Sequence, residues 1–136
     1  MTRKQKARAI LLLRAFEFYE ASAIAYLGEL RADKTKVNSV EDALNVLTEG
    51  SRCLEYAEKR RRLVYEDFAN EPVLRHSLLP RPAGFEWGAK LFNLAEEWAG
   101  NEVVKKHLQY LARKSKSQIV RKKAESMLRQ GGTESP

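Results

Sequence analysis

Residues 12–30, LLRAFEFYEASAIAYLGEL, decide the fold of this chain. The stretch has no proline, and its single glycine is Gly28. One row of apolar residues recurs at spacings of three and four, the period of an α-helix: Leu12, Phe16, Tyr19, Ala23, Tyr26 and Leu30. A second row lies beside it: Leu13, Ile24 and Leu27. The predicted helix is therefore apolar around more than half of its circumference. Such a helix is usually central in a bundle, and we expect this one to be.

A second long helix follows a polar loop. Ser39 is its predicted N-cap, with Asp42 three residues on as the partner in a capping box. Its apolar stripe predicts an end near Phe68 or Ala69. Gly50 lies on this stripe, where glycine costs roughly 1 kcal/mol against alanine. Close packing against the first helix would explain it, and a kink is the alternative.

Prolines interrupt the pattern over residues 70–84. Three shorter helices are predicted after this break: one from about Phe85 to Trp98, one capped by Asn101, and one capped by Ser115 or Ser117 that stops at Gly131-Gly132. The predicted fold is all-α: an antiparallel bundle of two long helices followed by three shorter ones. We expect a single domain over residues 1–130, with a hinge as an option at 70–84 and a disordered tail at 131–136.

Residues 101–130 resemble a single helix pair of the HEAT or armadillo type. The residues that carry the resemblance are Val120, Arg121, Ala124 and Leu128. It implies an antiparallel hairpin suited to interactions and implies nothing about activity. A stacking repeat recurs at about 40–47 residues, and no second copy is evident upstream.

Composition bounds the class of protein. The chain has 136 residues, 43% hydrophobic and 32% charged, as in ordinary globular proteins. We expect no membrane span and no signal peptide. Cys53 is the only cysteine, which excludes an internal disulfide and a cysteine-based zinc cluster. An intracellular, cytoplasmic location is the expectation, with the nucleus open to a eukaryotic protein.

The net charge of +7 is distributed unevenly. Residues 1–14 have five basic residues and no acidic one, residues 15–104 have a net charge of −5, and residues 105–129 have a net charge of +8. An uneven distribution of charge bears on which partners a protein can bind and not on its fold. Serine, lysine and arginine together are typical of phosphate contacts. We therefore predict that the C-terminal hairpin binds an anion through Lys105, Lys106, Arg113, Lys114, Lys116, Arg121, Lys122, Lys123 and Arg129.

A secondary basic patch is predicted at Arg3, Lys4, Lys6, Arg8, Lys59, Arg60, Arg61 and Arg62. The last four are consecutive, so on a helix they point in all directions and at least one must face the packed side. Either this helix end projects beyond the bundle, or the acids Glu58, Glu66 and Asp67 neutralise it.

Two pairs of glutamates are candidates for a metal-binding site. Glu17 with Glu20, and Glu55 with Glu58, are each three residues apart and so share a helix face. The pairs resemble those of MazG-type nucleotide pyrophosphohydrolases, where they hold magnesium, although the second pair lacks the usual aspartate and the two pairs are far apart. We predict no metal site, because Arg14 and Lys59 can balance these charges locally.

Nucleophilic catalysis has few candidates. Cys53 is expected to be an inert buried thiol, and His76 and His107 are the only histidines. We expect no enzymatic activity and no cofactor. The leading hypothesis is a helical accessory protein that binds nucleic acid backbone, or an acidic protein surface, without strong sequence specificity. The alternative is a protein–protein adaptor that uses the loop Leu78–Phe85 and an aromatic surface near Trp87. An oligomer is open in either case.

Overall fold

The computed structural model describes residues 1–67 and 87–133. Within these ranges the chain forms helices and no strand: α1 (Arg3–Ala32), α2 (Val40–Arg62), α3 (Ala89–Asn93), α4 (Glu102–Lys114) and α5 (Gln118–Thr133). A π-helical turn, Leu63–Asp67, continues α2, and a 3-10 turn, Glu96–Trp98, follows α3. The predicted all-α fold of two long and three shorter helices is confirmed. None of the helices in this part of the chain combines the length and apolar character needed to cross a membrane.

Local side-chain caps set where the long helices begin. At α1, the Thr2 hydroxyl accepts from the Gln5 N–H at 3.1 Å while the Gln5 side chain accepts from the Thr2 N–H at 2.8 Å. At α2, Ser39 is the N-cap as predicted and accepts from the Asp42 N–H at 3.1 Å. The Asp42 carboxylate reaches back one residue further than a capping box requires, to the Asn38 N–H at 3.0 Å.

Helix α2 is the centre of the molecule, because it contacts each of the other four helices. Its Leu47 and Leu54 are fully buried in a core that also contains Phe92 of α3 and Leu108 of α4. Trp98 packs against the same core, which also includes Leu111. The expectation that the first helix is central is wrong.

Helix α1 buries a different face from the predicted one. Its buried residues are mostly small: Phe18, Ala21, Ala25, Gly28 and Ala32. The row that the sequence analysis took as the core stripe is exposed on the opposite side. The physical reason is close helix packing, since a Cβ at Gly28 would lie 2.6 Å from the Cys53 Sγ. Small side chains let α1 approach α2 closely, and the large ones point away.

Gly50 also serves close packing, but its neighbour is α3. A Cβ at Gly50 would lie 2.7 Å from the backbone N and Cα of Phe92. The predicted packing against the first helix is therefore wrong about the partner and right about the reason. Phe92 is fully buried at this contact.

Within the described residues, the predicted third helix, Phe85 to Trp98, consists of two short pieces. Gly88 has a φ of 99°, which is not helical, so α3 starts only at Ala89. The Gly88 N–H donates to the Glu29 carboxylate of α1 at 2.7 Å, and this hydrogen bond holds the start of α3 against α1. After Asn93 the chain tightens into a 3-10 turn, with the Trp98 N–H donating to Ala95 O at 2.9 Å.

The end of α5 also differs from the prediction. The helix continues to Thr133, so Gly131 and Gly132 do not stop it, and residues 131–133 belong to the helix and not to a tail. A Cβ at Gly131 would lie 3.1 Å from the Ala99 carbonyl, so this glycine permits a close helix contact. Residues 134–136 and the predicted hinge at 70–84 lie outside the described residues, as do Phe68 and Ala69.

Candidate anion-binding surface

The C-terminal hairpin, α4 with α5, has a well-defined turn. Asn101 caps α4, because its Oδ1 accepts from Val103 N at 3.0 Å and from Val104 N at 3.3 Å. Ser117, and not Ser115, caps α5: its Oγ accepts from Val120 N at 3.2 Å. The Ser115 hydroxyl instead accepts from the Ser117 N–H within the turn.

Seven of the nine predicted anion-binding residues are exposed, and none of the seven has an ion-pair partner among residues 1–67 and 87–133. They are Lys105, Lys106, Arg113, Lys114, Lys116, Lys122 and Arg129. Such cations keep their hydration and their charge, and so can neutralise a polyanion.

The other two predicted residues are half-buried and engaged. Arg121 Nη1 donates to the Ser115 carbonyl at 2.6 Å and so holds the turn between the helices. Lys123 is also half-buried and has an interaction of its own. The structure therefore assigns Arg121 a structural contact in addition to its charge.

Four of the exposed cations point directly away from the core. On α4 the buried stripe is Val104, Leu108 and Leu111, and Lys106 and Arg113 lie on the opposite side of the helix. On α5, Lys122 and Arg129 have the same relation to the buried residues Val120, Ala124 and Met127. Each pair is seven residues apart, which is two turns or about 10.5 Å along the helix. We call these four residues the outer cations.

Acidic residues are few on this surface. Glu102 begins α4, and Glu125 lies between Lys122 and Arg129 on α5. Both glutamates are exposed. Glu125 is three residues after Lys122 and four before Arg129, so it weakens the positive potential of this helix locally.

One end of the molecule brings the two predicted basic patches together. The Ser117 hydroxyl donates to the Glu58 carboxylate, which joins the α4–α5 turn to the C-terminal half of α2. Beside this contact lies a cleft of about 260 Å³. Its lining includes three cations, Lys59, Arg62 and Lys116, and two carboxylates, Glu55 and Glu58.

The secondary basic patch is less uniform than its sequence suggests. Arg3, Lys4, Lys6 and Arg8 are exposed on the first turns of α1, and Arg61 and Arg62 are exposed at the end of α2. Lys59 is half-buried with its Nζ 4.0 Å from the Glu17 carboxylate. These seven residues can contribute to a basic surface, whereas Arg60, the remaining member of the Lys59–Arg62 run, cannot.

Arg60 is that remaining member, and only 3% of it is exposed. Its guanidinium lies between two aromatic rings, 4.9 Å from the centroid of Phe18 and 4.7 Å from that of Trp87. Its Nε donates to the Ser22 hydroxyl at 2.8 Å. Burial lowers the pKa of Arg60 from its ordinary value, although the group stays charged. The prediction that one member of the run faces the packed side is confirmed, but aromatic faces and not the acids Glu58, Glu66 and Asp67 accommodate it.

The four glutamates of the metal hypothesis do not converge on one site. Glu17 pairs with Arg14 at 3.0 Å and with Lys59, as the sequence analysis expected. Glu20 and Glu55 are exposed, and Glu58 accepts from Ser117. Within the described ranges no three His, Cys, Asp or Glu side chains are close enough to hold a metal ion.

The candidate nucleophile is buried. Cys53 is 6% exposed, and burial raises the pKa of its thiol more than the nearby Arg31 and Arg52 lower it. A buried neutral thiol is a poor nucleophile. His107 lies on α4, and burial lowers its pKa. His76 lies outside the described residues, as does the predicted docking loop Leu78–Phe85.

The aromatic surface expected near Trp87 is largely used inside the molecule. The Trp87 ring is half-buried, packs edge-on against Tyr26 at 5.2 Å between centroids, and covers Arg60. This arrangement could not be predicted from the sequence, because the contacts join residues far apart in the chain.

No protein-family model, curated protein or solved structure matches this chain.

Proposed function

We propose that this chain is a non-enzymatic helical binding protein whose basic hairpin docks on a polyanion, with nucleic acid as the first choice. The observation that supports this most is the set of seven exposed cations on α4 and α5 and in the turn between them, none of which has an ion-pair partner among the described residues. The partner's phosphate backbone supplies the matching charge. An acidic protein surface offers the same charge with a less regular spacing.

The hairpin has no arrangement that reads bases. Tyr110 is its one exposed aromatic residue, and its exposed helix faces carry lysine and arginine more than asparagine or glutamine. Aromatic stacking and paired amides are what sequence-specific RNA or DNA contacts use. We therefore propose binding to the backbone, without strong sequence preference and with a steep dependence on salt.

The test is a titration of labelled duplex and single-stranded DNA and RNA, followed by fluorescence anisotropy at several salt concentrations. The variant is Lys122→Glu with Arg129→Glu, which reverses two outer cations. Its matched control is Lys34→Glu with Lys36→Glu, because these two lysines are also exposed and the change in net charge is the same. We expect at least a tenfold loss for the hairpin variant and a much smaller loss for the control.

Salt dependence gives a second readout of the same contact. Each phosphate contact contributes about 0.9 to the slope of log affinity against log salt for duplex DNA. The hairpin variant should therefore lose up to about 2 from the slope of the parent protein. Equal affinity and slope for the two double variants would overturn the proposal. Arg121 is left intact because replacing it would also remove its hydrogen bond to the Ser115 carbonyl.

A protein–protein adaptor remains the second proposal, and one observation favours it. The large apolar residues of α1 are exposed along most of its length. An apolar contact of this kind keeps its affinity as salt rises, whereas the polyanion contact loses it. A partner that stays bound at high salt and does not respond to the hairpin variant would support the adaptor.

The MazG-like alternative has no feature of the described residues in its favour. Our proposal that the protein is not such an enzyme is tested by calorimetry with magnesium and manganese. We expect no binding tighter than about millimolar, the range of weak carboxylate sites. A tighter metal site that is lost on Glu20→Gln would contradict this proposal and favour the MazG-like hydrolase.

A further inference from the structure

One face of α1 is apolar and largely exposed, with Tyr26 partly covered by the Trp87 ring. The open face, as we call it, consists of the row that the sequence analysis expected in the core: Leu12, Phe16, Tyr19, Ala23, Tyr26 and Leu30. Its largest members are well exposed, with Phe16 at 65% and Tyr19 at 60%. Leu13 and Leu27 widen it on one side, and both are about half exposed.

The spacing of the open face is that of a coiled coil. Its six residues follow one another at intervals of four, three, four, three and four. This is an unbroken heptad pattern, in which alternate positions of type a and d form the seam between two helices. A helix that only covers its own domain has no need of so regular a seam on its outer side. The pattern points to a second helix of similar length as the occupant.

The area is large enough for a stable contact. With about 150–250 Å² for each aromatic side chain, the exposed parts of three aromatic and four leucine residues amount to on the order of 700 Å². A typical monomer has a largest apolar patch of about 300–600 Å². A standard protein–protein interface takes about 800 Å² from each partner. The open face therefore has about the area that one partner contributes to a standard protein–protein interface.

We propose that the open face binds the open face of a second copy of this chain, with the two α1 helices antiparallel. The proposal is independent of the function proposed for the hairpin. In this arrangement Leu12 packs on the partner's Leu30, and Phe16 packs on the partner's Tyr26. Tyr19 packs on the partner's Ala23, so that the largest side chain near the centre meets the smallest. Each contact joins an a position to a d position, as antiparallel seams require.

Charge decides between the two directions. A parallel pair would place the two basic segments, residues 1–14 with five cations each, side by side. In the antiparallel pair each basic segment lies at and beyond the carboxyl end of the partner's α1, away from the other basic segment. The carboxyl end of the partner's α1 also favours nearby cations through the helix dipole. Antiparallel pairing thus removes a like-charge contact.

Measurement of mass in solution tests the proposal directly. By light scattering after size exclusion, or by sedimentation equilibrium, we expect about twice the chain mass of 15.6 kDa at micromolar concentration. Tyr19→Glu should raise the dimer dissociation constant at least tenfold. Tyr110→Glu is the matched control, because Tyr110 is 55% exposed on α4 and outside the seam. A parent protein that is monomeric at 100 micromolar, whether residues 68–86 or nothing covers the face, would overturn the proposal.

Cysteine cross-linking tests the direction without adding charge to the seam. In the antiparallel register the double variant Leu12→Cys with Leu30→Cys should form a disulfide-linked dimer on mild oxidation. Either single variant should not, because position 12 lies about 27 Å from the partner's position 12 at 1.5 Å per residue. The parent chain controls for Cys53, which is buried. Efficient linkage of the Leu12→Cys single variant would overturn the antiparallel register.

Discussion

Helices α1 and α2 are both long and both carry regular apolar rows, yet they occupy opposite situations. Leu54 of α2 is fully buried, whereas Leu12 of α1 is 60% exposed. On α2 the large apolar side chains form the core, and most polar ones face solvent. On α1 the small side chains make the contact, and the large ones form the open face. A helix with two apolar faces must leave one uncovered unless a further element packs on it.

The period of an apolar pattern and the burial of its residues are separate pieces of information. The spacing of three and four identifies a helix wherever it occurs. Which face is buried depends on how closely the neighbour can approach, and at Gly28 the approach leaves no room for a Cβ.

Leucine truncation should separate the two helices most clearly. Leu54→Ala removes a fully buried side chain and should cost about 2–5 kcal/mol of unfolding free energy. Leu12→Ala should cost under about 0.5 kcal/mol at concentrations where the protein is monomeric. Urea unfolding at several protein concentrations measures both, and a loss at Leu12 that grows with concentration would report the dimer. Equal losses for the two variants in the monomer would mean that α1 buries its open face.

Glycine substitution tests the close contact between α2 and α3. Gly50→Ala should destabilise by about 1–3 kcal/mol, because its Cβ would lie 2.7 Å from the Phe92 backbone. Helix propensity alone would favour the alanine by about 1 kcal/mol. Gly100→Ala is the control, since nothing lies within 4 Å of a Cβ there. A stabilised Gly50→Ala protein, in thermal or urea unfolding, would show that the helices are further apart than described.

Arginine truncation tests the buried cation at the junction of α1 and α2. Arg60→Ala should cost about 2 kcal/mol, because it removes a desolvated cation held between two aromatic rings. Arg62→Ala, two residues on and exposed, should cost under about 0.5 kcal/mol. Tryptophan fluorescence should also change in Arg60→Ala, since Trp87 loses its stacked neighbour. An Arg60→Ala protein as stable as Arg62→Ala would contradict the packing of Trp87.

The smallest effect concerns a single atom on α4. The Nε2 of His107 is buried without a hydrogen-bond partner in the described part of the chain, and burial lowers the pKa of the imidazole. The unfolded chain therefore binds a proton at a higher pH than the folded one does. Stability should be full above the ordinary pKa of about 6.5 and should fall as the pH drops below it. His107→Gln should flatten this part of the pH profile of unfolding, and an unchanged profile would assign the acid sensitivity to other groups.

Much of the architecture follows from the sequence alone, because its causes are local. The apolar spacing of three and four identifies the helices. Ser39 and Asn101 cap two of them as predicted, through hydrogen bonds from N–H groups within three residues. The exposed cations could be identified too, since Lys106, Arg113, Lys122 and Arg129 fall opposite the apolar stripes of their own helices. These features need only the helical repeat and the chemistry of neighbouring residues.

The tertiary structure alone decided the rest, because the decisive contacts join distant residues. Arg60 meets Ser22 across 38 residues of sequence, and Ser117 meets Glu58 across 59. No local rule says that the second cation of a basic run will lie between two aromatic rings. Nor does any periodicity say that α1 will bury Ala21, Ala25 and Gly28 and leave Phe16, Tyr19 and Tyr26 exposed. That choice is made by the distance at which two helices can pack, which is a property of both surfaces together.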